Sequence, residues 1–359
     1  MTLMLQRTNS YICTLAALVA AAVWLLALPQ HTEAAGARTA WVSSNHIQVI
    51  DLDTARVIGR LPLSEFIHDM DFSVDGNRVY VGSSKGLRVA DANELRFVQQ
   101  VSTSMTKAVA VSKDGSRVAA IHPGDREATQ AARKAGLPLP PAKITIYSTL
   151  DMKEQSSWHV HAMTFDVLFA PSNDRVYVLV PPEGMVYVHD LSGAVLDTIQ
   201  LVPRSPEGSH QGAMLTWMAL SPDGRSLVVP GTTADRSFVA EVDLGNRRPL
   251  DERVVHQDLG HNRRIQGLAW DDDGSGVYVT AVNSMVKFNG LGLPIAWESM
   301  PLNYVDIEPI PGTNENVLVA PIFSKSNKSG GVAILGENGE FLRTVELPDM
   351  SPYFVAVRP

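Results

Sequence analysis

Short segments of alternating apolar and polar residues, separated by turns, are the dominant pattern after residue 37. The clearest copy runs from Asp71 to Val81, where an apolar segment meets Asp75-Gly76 and the chain returns as the alternating segment Val79-Tyr80-Val81. Period-two alternation predicts a strand with one buried face. Asp-Gly is a favoured pair where a two-residue turn needs positive φ. This stretch therefore predicts a β-hairpin.

The same hairpin recurs along the chain, and each copy is followed by two further short strands. Asn173-Asp174 replaces Asp-Gly in one copy, and a degenerate copy surrounds Gly312. The other turns are Asp114-Gly115, Asp223-Gly224 and Asp273-Gly274. From turn to turn the units are about 38 to 59 residues apart, close to the roughly 40 to 50 residues of four-stranded propeller blades.

Six hairpin copies are visible, and the two ends of the repeated region each have one unmatched strand. Tyr353 to Arg358 lacks a return partner, and Thr39 to Ser43 lacks a preceding strand. Pairing of these two strands completes a seventh blade and removes exposed sheet edges. The predicted fold class is all-β: a seven-bladed β-propeller of four-stranded blades over residues 38–359, closed by its N- and C-terminal strands.

The recurring S-x-D-G followed by V-Y-V resembles the YVTN-type seven-bladed propellers. Val79 to Ser84 and Val277 to Val282 match this pattern best, and the resemblance extends over everything after the N-terminal segment. The same superfamily includes the β-chain of quinohaem amine dehydrogenases, lactonases and proteins that only bind partners. The resemblance therefore implies the fold and leaves the function open.

Residues 1–37 have the pattern of a secretory signal peptide. Arg7 gives a positive start, Ile12 to Leu28 is apolar apart from Thr14, and Ala35-Gly36-Ala37 supplies a small-residue exit. The alternative is an uncleaved membrane anchor, because the apolar stretch is near the lower limit for spanning a bilayer. Both interpretations predict a periplasmic or secreted protein, with membrane contact only through an uncleaved N-terminal segment.

The composition of the chain argues against nucleic acid as a partner. The formal charge is -8 and the chain has no Lys/Arg run, so the basic surface that nucleic acid requires is not predicted. The sole cysteine, Cys13, lies inside the signal segment. The mature chain would have neither a thiol nor a disulfide. No cofactor is predicted, because the motifs for nucleotide, haem or zinc-protease chemistry are missing from the sequence.

One segment interrupts the repeat, the insertion at residues 122–142. Arg126 to Ala135 contains helix-forming residues, Gly136 is placed as a C-cap, and prolines follow at 138, 140 and 141. An insertion in a rigid scaffold often has a binding function. The alternative is a surface loop without a function.

Two groups of residues are weak candidates for metal binding. His159 and His161 would share one face of a strand, although two histidines alone do not complete a zinc site. The acidic run Asp271 to Asp273 suggests calcium, but it occupies a hairpin turn, and a turn is the favoured interpretation. No metal site is predicted.

A candidate ligand site follows from the repeat itself. Counting back eight residues from each turn glycine, or its equivalent, gives the start of each innermost strand at the mouth of the central channel. The residues found this way, the last two by a looser alignment, are His68, Lys107, Phe165, Thr216, Gln266, Tyr304 and Tyr353. A ring of hydrogen-bonding, basic and aromatic groups suits a small ligand or a peptide, and an ordinary wet channel is the alternative.

These observations favour a non-catalytic scaffold subunit that binds another exported protein or enzyme subunit, with a small ligand in the channel as a further option. Two other hypotheses stay open. One is a lactonase-like hydrolase that uses His, Glu or Arg at the channel mouth, with His68 and Lys107 as the residues whose substitution tests it. The other is an accessory subunit of a periplasmic amine dehydrogenase-like redox enzyme.

Overall fold

The alternating segments form seven antiparallel sheets. The structure, a computed structural model, describes residues 38–202, 214–233, 236–245, 254–260, 265–281, 284–288, 295–299, 305–320, 330–347 and 352–359. In chain order the strands are β1 (Thr39–Ser43), β2 (Ile47–Asp51), β3 (Arg56–Leu61), β4 (Ile67–Phe72), β5 (Arg78–Ser83), β6 (Gly86–Asp91), β7 (Arg96–Gln100), β8 (Ala108–Val111), β9 (Arg117–His122), β10 (Ala142–Ser148), β11 (Glu154–Val160), β12 (Asp166–Phe169), β13 (Arg175–Val180), β14 (Met185–Asp190), β15 (Val195–Gln200), β16 (Met214–Leu215), β17 (Ala219–Leu220), β18 (Ser226–Thr232), β19 (Ser237–Asp243), β20 (Val254–Gly260), β21 (Ile265–Trp270), β22 (Val277–Ala281), β23 (Ser284–Phe288), β24 (Ile295–Ser299), β25 (Asp306–Pro309), β26 (Asn316–Ala320), β27 (Gly330–Leu335), β28 (Phe341–Leu347) and β29 (Phe354–Val357).

Each sheet is one blade of a β-propeller, which confirms the predicted fold class. Blades 1, 2 and 3 are β4–β7, β8–β11 and β12–β15, and blades 5 and 6 are β21–β24 and β25–β28. In blade 4 the innermost strand is split into β16 and β17, which both pair with β18, and β19 and β20 follow. Blade 7 has the order β29-β1-β2-β3. Arg38–Pro359 forms one compact unit.

Blade 7 closes the propeller as the sequence predicts. Its innermost strand, β29, pairs antiparallel with β1 from Ala40↔Val357 to Ser43↔Phe354. The first three strands thus complete the sheet that the last strand begins. This pairing satisfies edge groups that would otherwise be free to pair with another chain.

The hairpin turns are longer than predicted. In blade 1, Ser73 N–H donates to Arg78 O at 2.9 Å, so the loop comprises the four residues from 74 to 77. Of the Asp75-Gly76 pair only Gly76 has positive φ, at 66°. Ser73 Oγ donates to Asp75 Oδ1 at 2.6 Å and accepts from Arg78 N–H at 2.9 Å. The serine hydroxyl and the aspartate therefore hold the loop, and the two-residue turn was a wrong prediction.

The copy in blade 3 is aligned differently from the prediction. Asn173 has φ 58°, and its N–H donates to Ala170 O at 2.9 Å, as Gly76 N–H donates to Ser73 O at 2.8 Å in blade 1. Ser172-Asn173, not Asn173-Asp174, therefore replaces Asp-Gly. Asparagine is suited to this position because it tolerates the left-handed region better than most residues.

The hydrophobic core lies between adjacent blades. Trp41 of blade 7 is fully buried and meets Phe72 of blade 1 edge-on, with ring centroids 5.7 Å apart. These two side chains belong to a cluster that also includes Val49 and Val79, one from each of the same two blades. Faces of neighbouring sheets therefore bury each other, as packed sheets do.

The insertion contains the predicted helix, α1 (Arg126–Ala135). Asp125 is its N-cap and accepts a hydrogen bond from Ala128 N–H at 2.8 Å. Gly136 caps the C-terminus with φ 63°. No residue of α1 is buried. A 3₁₀ turn at Pro181–Glu183 connects β13 and β14.

The predicted signal segment, residues 1–37, lies outside the described residues, so its cleavage stays a prediction. Within the described part of the chain, none of the helices has the length and hydropathy that crossing a bilayer requires.

Candidate functional site

The central channel is lined by the innermost strands, and the predicted ring lies where these strands begin. Lys107 N–H donates to Ile121 O at 2.8 Å, and Tyr353 N–H donates to Ser43 O at 2.9 Å, one residue before each strand starts. The residues that share this position are His68, Lys107, Phe165, Thr216, Gln266, Val305 and Tyr353. We call this set the channel ring, and the end of the channel where it lies the ring end.

Blade 6 differs from the prediction by one residue. Asp306 pairs with Val319 as Asp69 pairs with Gly82, so Val305 is the equivalent of His68. Tyr304, which the sequence predicted here, lies outside the described residues. In this blade the N–H that closes the turn belongs to Thr313 rather than to Gly312, and counting back from the glycine therefore gives the wrong residue.

Two ring residues from successive blades, Lys107 and Phe165, form a continuous aromatic and basic wall together with Trp217. Lys107 Nζ lies 4.0 Å from the ring centroid of Phe165, a cation–π distance, and donates to Thr164 O at 3.3 Å. Phe165 meets Trp217 edge-on at 5.0 Å, and Trp217 meets Phe354 at 5.7 Å. Trp217 therefore lies in the channel wall beside Thr216.

His68 and Tyr353 lie on the other side of the mouth and are joined through Phe66. The Phe66 ring is 5.0 Å from His68 and 5.4 Å from Tyr353. Burial, together with the positive charge of Lys107, lowers the pKa of His68. The imidazole is therefore neutral near pH 7 and can donate one hydrogen bond and accept another.

Three buried polar atoms of the ring have no hydrogen-bond partner among the described residues: His68 Nε2, Thr216 Oγ1 and Gln266 Oε1. The backbone oxygen of Gln266 does accept from Trp217 Nε1 at 2.7 Å. Buried polar atoms are nearly always paired in folded proteins. These three are therefore available to a bound molecule or to solvent in the channel.

Beneath the ring the channel contains a layer of acidic side chains, which we call the carboxylate layer. It lines a cavity of about 220 Å³ together with Trp217 and Phe354. Its members are Asp69, Asp71, Asp166, Asp306 and Glu308. This layer was not predicted, although Asp69, Asp166 and Asp306 occupy the same position in their blades, one residue after the ring.

Most of these carboxylates link neighbouring blades. Asp69 Oδ2 accepts from Val109 N–H at 2.8 Å, and Asp166 Oδ2 accepts from Met218 N–H at 2.8 Å. Asp71 Oδ2 accepts from Val111 N–H at 2.7 Å. Each bond joins the innermost strand of one blade to the innermost strand of the next. Asp306 Oδ2 likewise accepts from Val355 N–H at 2.9 Å, so four members of the layer have a structural role. Glu308 accepts no hydrogen bond of this kind from the described residues.

Burial raises the pKa of every member of the layer. It raises the pKa of Asp71 and that of Asp306 to about 7, and that of Asp166 to about 6. The pKa of Asp69 and that of Glu308 are raised well above their ordinary values, and nearby carboxylates add to the effect of burial at both positions. The backbone hydrogen bonds oppose these increases at the aspartates.

Lys107 is the cation of the channel ring. Burial lowers the pKa of its ammonium group to about 8, and the negative charge of Asp166 opposes this decrease. Near pH 8 a large fraction of Lys107 is therefore a neutral amine.

The two histidines considered for metal binding do not form a pair. β11 ends at Val160, so His161 has left the strand that contains His159. His161 Nδ1 accepts from Met163 N–H at 3.1 Å, and its Nε2 lies 3.9 Å from Glu183 Oε1. Among the described residues no group of three His, Cys, Asp or Glu side chains is arranged to hold a metal ion.

The run Asp271 to Asp273 belongs to a hairpin turn, which is closed by a hydrogen bond of 3.0 Å from Gly274 N–H to Asp271 O.

The insertion lies at the same end of the propeller as the ring. It connects β9 to β10, whose first pair at that end is His122↔Lys143, and His122 directly follows Ile121, the hydrogen-bond partner of Lys107. The long connections after β15 and β26 also join strands at the ring end. The opposite end has the hairpin turns, and we call it the turn end.

A second cavity, of about 290 Å³, lies away from the channel. It is lined by Val202, Thr233, Arg236, Phe238, His256 and Asp258. His256 Nε2 donates to Leu201 O at 2.7 Å, and its ring meets Phe238 edge-on at 5.5 Å. The histidine therefore has a packing role at this cavity.

Comparison with solved structures supports the propeller. The chain is similar to hydrazine synthase from Kuenenia stuttgartiensis, with 14% identity and a TM-score of 0.63, over 82% of this chain and 90% of that chain. It is also similar to a functionally unknown protein from Desulfotomaculum acetoxidans DSM 771, with 15% identity and a TM-score of 0.64, over 89% of this chain and 98% of that chain. At these identities the likeness concerns the fold alone.

No protein-family model matches the chain, and a search of the curated proteins gives no significant match. Membership of the YVTN family therefore stays a prediction.

Proposed function

We propose that this protein is an exported, non-catalytic β-propeller subunit that binds a partner protein at the ring end of its channel. The observation that supports the proposal most directly is the channel ring, in which buried polar atoms without partners stand between aromatic side chains above an open cavity. Buried polar atoms are usually paired, and a bound partner would supply the hydrogen bonds that these atoms lack within the described residues.

Export is proposed from the sequence of residues 1–37 alone. Its test is N-terminal sequencing of the protein isolated from the envelope fraction of its host. A mature chain that begins at residue 38 supports a cleaved signal peptide, and a chain that still begins at Met1 and stays with the membrane supports the anchor.

Binding is tested by native mass spectrometry of the protein isolated gently from that fraction, in wild-type form and as ring variants. Thr216→Val removes one of the unpartnered atoms with little change in shape, and Lys107→Met removes the ring cation. Lys113→Met is the matched control, because Lys113 is an exposed lysine at the turn end. We expect the partner to be lost from the ring variants and kept by the control.

A partner that stays bound to both ring variants, or a wild-type protein isolated as a bare monomer, would overturn this proposal. The chemistry of a captured partner also decides the accessory-subunit hypothesis: a partner that contains haem or a quinone favours it, and any other partner speaks against it.

A specific observation favours a second candidate function, a lactonase-like hydrolase. Lys107, whose ammonium pKa is lowered to about 8, provides an amine that can be neutral at moderate pH, and His68 Nε2 is unpartnered among the described residues. Purified protein assayed with a panel of lactones distinguishes the two functions. Hydrolysis that is lost in His68→Ala and Lys107→Met but kept in Lys113→Met would support the enzyme.

A further inference from the structure

The ring end of the propeller exposes apolar side chains in a repeated position. Phe66, Met105, Met163 and Met214 each lie two residues before a ring residue, in blades 1, 2, 3 and 4. Their exposed fractions are 43%, 37%, 41% and 51%, and that of Tyr353 in blade 7 is 39%. Because blade 7 neighbours blade 1, these five side chains form one arc around the channel mouth, which we call the apolar rim.

The other exposed large apolar side chains of the described residues are distributed differently. Leu137 lies in the insertion, Val74 and Leu150 lie at the turn end, and the rest are on the outermost strands. Those outer positions are Val57, Ile58, Val98, Val195, Leu196, Val255, Phe341 and Leu342. Single exposed apolar residues need no explanation, but exposed apolar side chains at one end of successive blades, around a polar cavity, suit an interaction site.

The side chains of the rim also suit binding to another protein. Three of the five are methionines, whose unbranched thioether chains adapt to irregular partner surfaces. Phe66 is fixed between His68 and Tyr353 by ring contacts of 5.0 and 5.4 Å. Aromatic residues and methionine are enriched at protein interfaces relative to the rest of the surface.

The channel below the rim contains more acidic than basic groups. Its cavity contains five carboxyl groups, against the single ammonium group of Lys107 in the wall above them. Glu308 lines this cavity and accepts no hydrogen bond from the described residues, whereas Asp69, Asp166 and Asp306 each accept two from backbone N–H groups. A cation beside Glu308 would stabilise its ionised form and offset the repulsion within the layer.

The size of the cavity decides between a whole small molecule and one side chain. Its volume is about 220 Å³, below the roughly 300–1,000 Å³ of sites that enclose a complete ligand. A single lysine or arginine side chain fits such a space, and the apolar rim outside it is in a position to contact the residues on either side.

We infer that the partner at the ring end presents a segment in which a lysine or arginine, flanked by apolar residues, inserts into the channel towards Glu308 while its neighbours pack on the apolar rim. This inference rests on the proposed function, because it specifies the chemistry of the partner that binds there.

The test uses a random peptide display library selected on the purified mature protein. We expect the selected peptides to share one basic residue between apolar residues. The best peptide should lose about tenfold in affinity, equivalent to about 1.4 kcal/mol, when its basic residue is replaced by norleucine or when the protein has Glu308→Gln. The double variant Met105→Ser/Met163→Ser should weaken it to a similar extent.

Matched controls separate these effects from damage to the fold. Glu346→Gln changes an exposed acid on the outermost strand of blade 6, and Leu150→Ser changes an exposed leucine at the turn end. Both should bind the peptide as the wild type does. Thermal unfolding of each variant shows whether a loss of affinity reflects a loss of structure.

The alternative results are distinguishable. Selected peptides that depend on Thr216 but have no basic residue, or that bind Glu308→Gln equally well, overturn this inference and leave the proposed function standing. A selection that yields no peptide dependent on the ring overturns both. Self-association that is lost in the double methionine variant would identify a second copy of this chain as the occupant. Binding of free lysine amide as tight as that of the selected peptide would identify a small cation as the occupant. Either result overturns the inference.

Discussion

The carboxylate of Asp306 in blade 6 accepts a hydrogen bond of 2.9 Å from the backbone N–H of Val355 in blade 7. Its other oxygen accepts from Ile307 N–H at 3.0 Å. The same arrangement links Asp69 to Val109 and Asp166 to Met218. One side chain at a fixed position in the repeat thus joins neighbouring blades next to the channel, at the cost of placing an acidic group there.

Replacing Asp306 should destabilise the closure of the propeller. Asp306→Ala leaves two buried N–H groups without acceptors, and we expect the free energy of unfolding to fall by about 2 kcal/mol. The measurement is urea unfolding at about pH 3. At that pH the carboxyl group is mostly protonated both in the folded protein, where its pKa is raised to about 7, and in the unfolded chain, where its pKa is about 3.9, so the loss reports the hydrogen bonds. Glu308→Gln is the control, with little change expected at this pH; equal effects of the two variants would contradict a linking role for Asp306.

Glu308 should instead lower stability at higher pH. Burial and the charges of Asp306, Asp71 and Asp69 raise its pKa above its ordinary value in the folded state. As the pH rises, the Glu308 carboxyl group loses its proton first in the unfolded chain. In the folded protein it loses the proton only at a higher pH. Its stabilising contribution is therefore complete below the unfolded pKa and disappears as the pH rises through the folded pKa.

Glu308→Gln should accordingly match the wild type near pH 4 and exceed its stability near pH 8. Because the pKa of Glu308 is raised well above its ordinary value in the folded protein, we expect the variant to have a higher free energy of unfolding than the wild type at the higher pH. Thermal unfolding at both pH values provides the comparison. A variant that is less stable than the wild type at pH 8 would contradict this expectation. It would mean that another interaction stabilises the ionised carboxylate of Glu308 more than burial and the neighbouring negative charges destabilise it.

Two glycines at equivalent turns should respond differently to alanine. Gly115 and Gly224 both have φ 70°, so each variant incurs the strain of a left-handed alanine, about 1–2 kcal/mol. A Cβ at Gly224 would lie 2.0 Å from Pro171 Cγ in the neighbouring blade, whereas one at Gly115 would lie 3.4 Å from Val74. We expect Gly224→Ala to cost about 2 kcal/mol more than Gly115→Ala, within the range of overpacking. Equal losses in chemical unfolding would mean that the blades can separate at this contact.

The repeat pattern was sufficient to predict the propeller and most of the channel ring. Strand alternation depends on which face is buried, and the two unmatched strands at the ends left one way of closing the sheet. Counting from the turn succeeded wherever the turns have the same length and hydrogen bonds. It was wrong by one residue at Tyr304, because the loop at Gly312 closes through Thr313.

The carboxylate layer and the apolar rim could not be predicted in the same way. Asp69, Asp166 and Asp306 repeat visibly in sequence, but their hydrogen-bond partners are forty or more residues away on the next blade. The exposure of Met105 and Met163 likewise depends on the path of the connection that precedes each ring residue. The place of Trp217 in the channel wall could not be predicted either, because its neighbour Phe354 comes from the opposite end of the chain.

Lys107 should titrate as an unusual amine. Burial against Phe165 lowers its pKa to about 8, so the proton leaves this lysine before it leaves the exposed lysines, whose ordinary pKa is about 10.4. Reductive ¹³C-methylation followed by an NMR pH titration should reveal one dimethyl-lysine resonance with a midpoint near 8. Lys107→Met should remove that resonance and Lys113→Met should keep it.

The lowered pKa of Lys107 also affects stability. Since the unfolded chain retains this proton to higher pH, the same shift makes the folded state relatively more stable as the pH rises from about 8 to about 10.4. A midpoint above 10 for the resonance that Lys107→Met removes would mean that the carboxylate layer, through Asp166, outweighs the burial of the ammonium group.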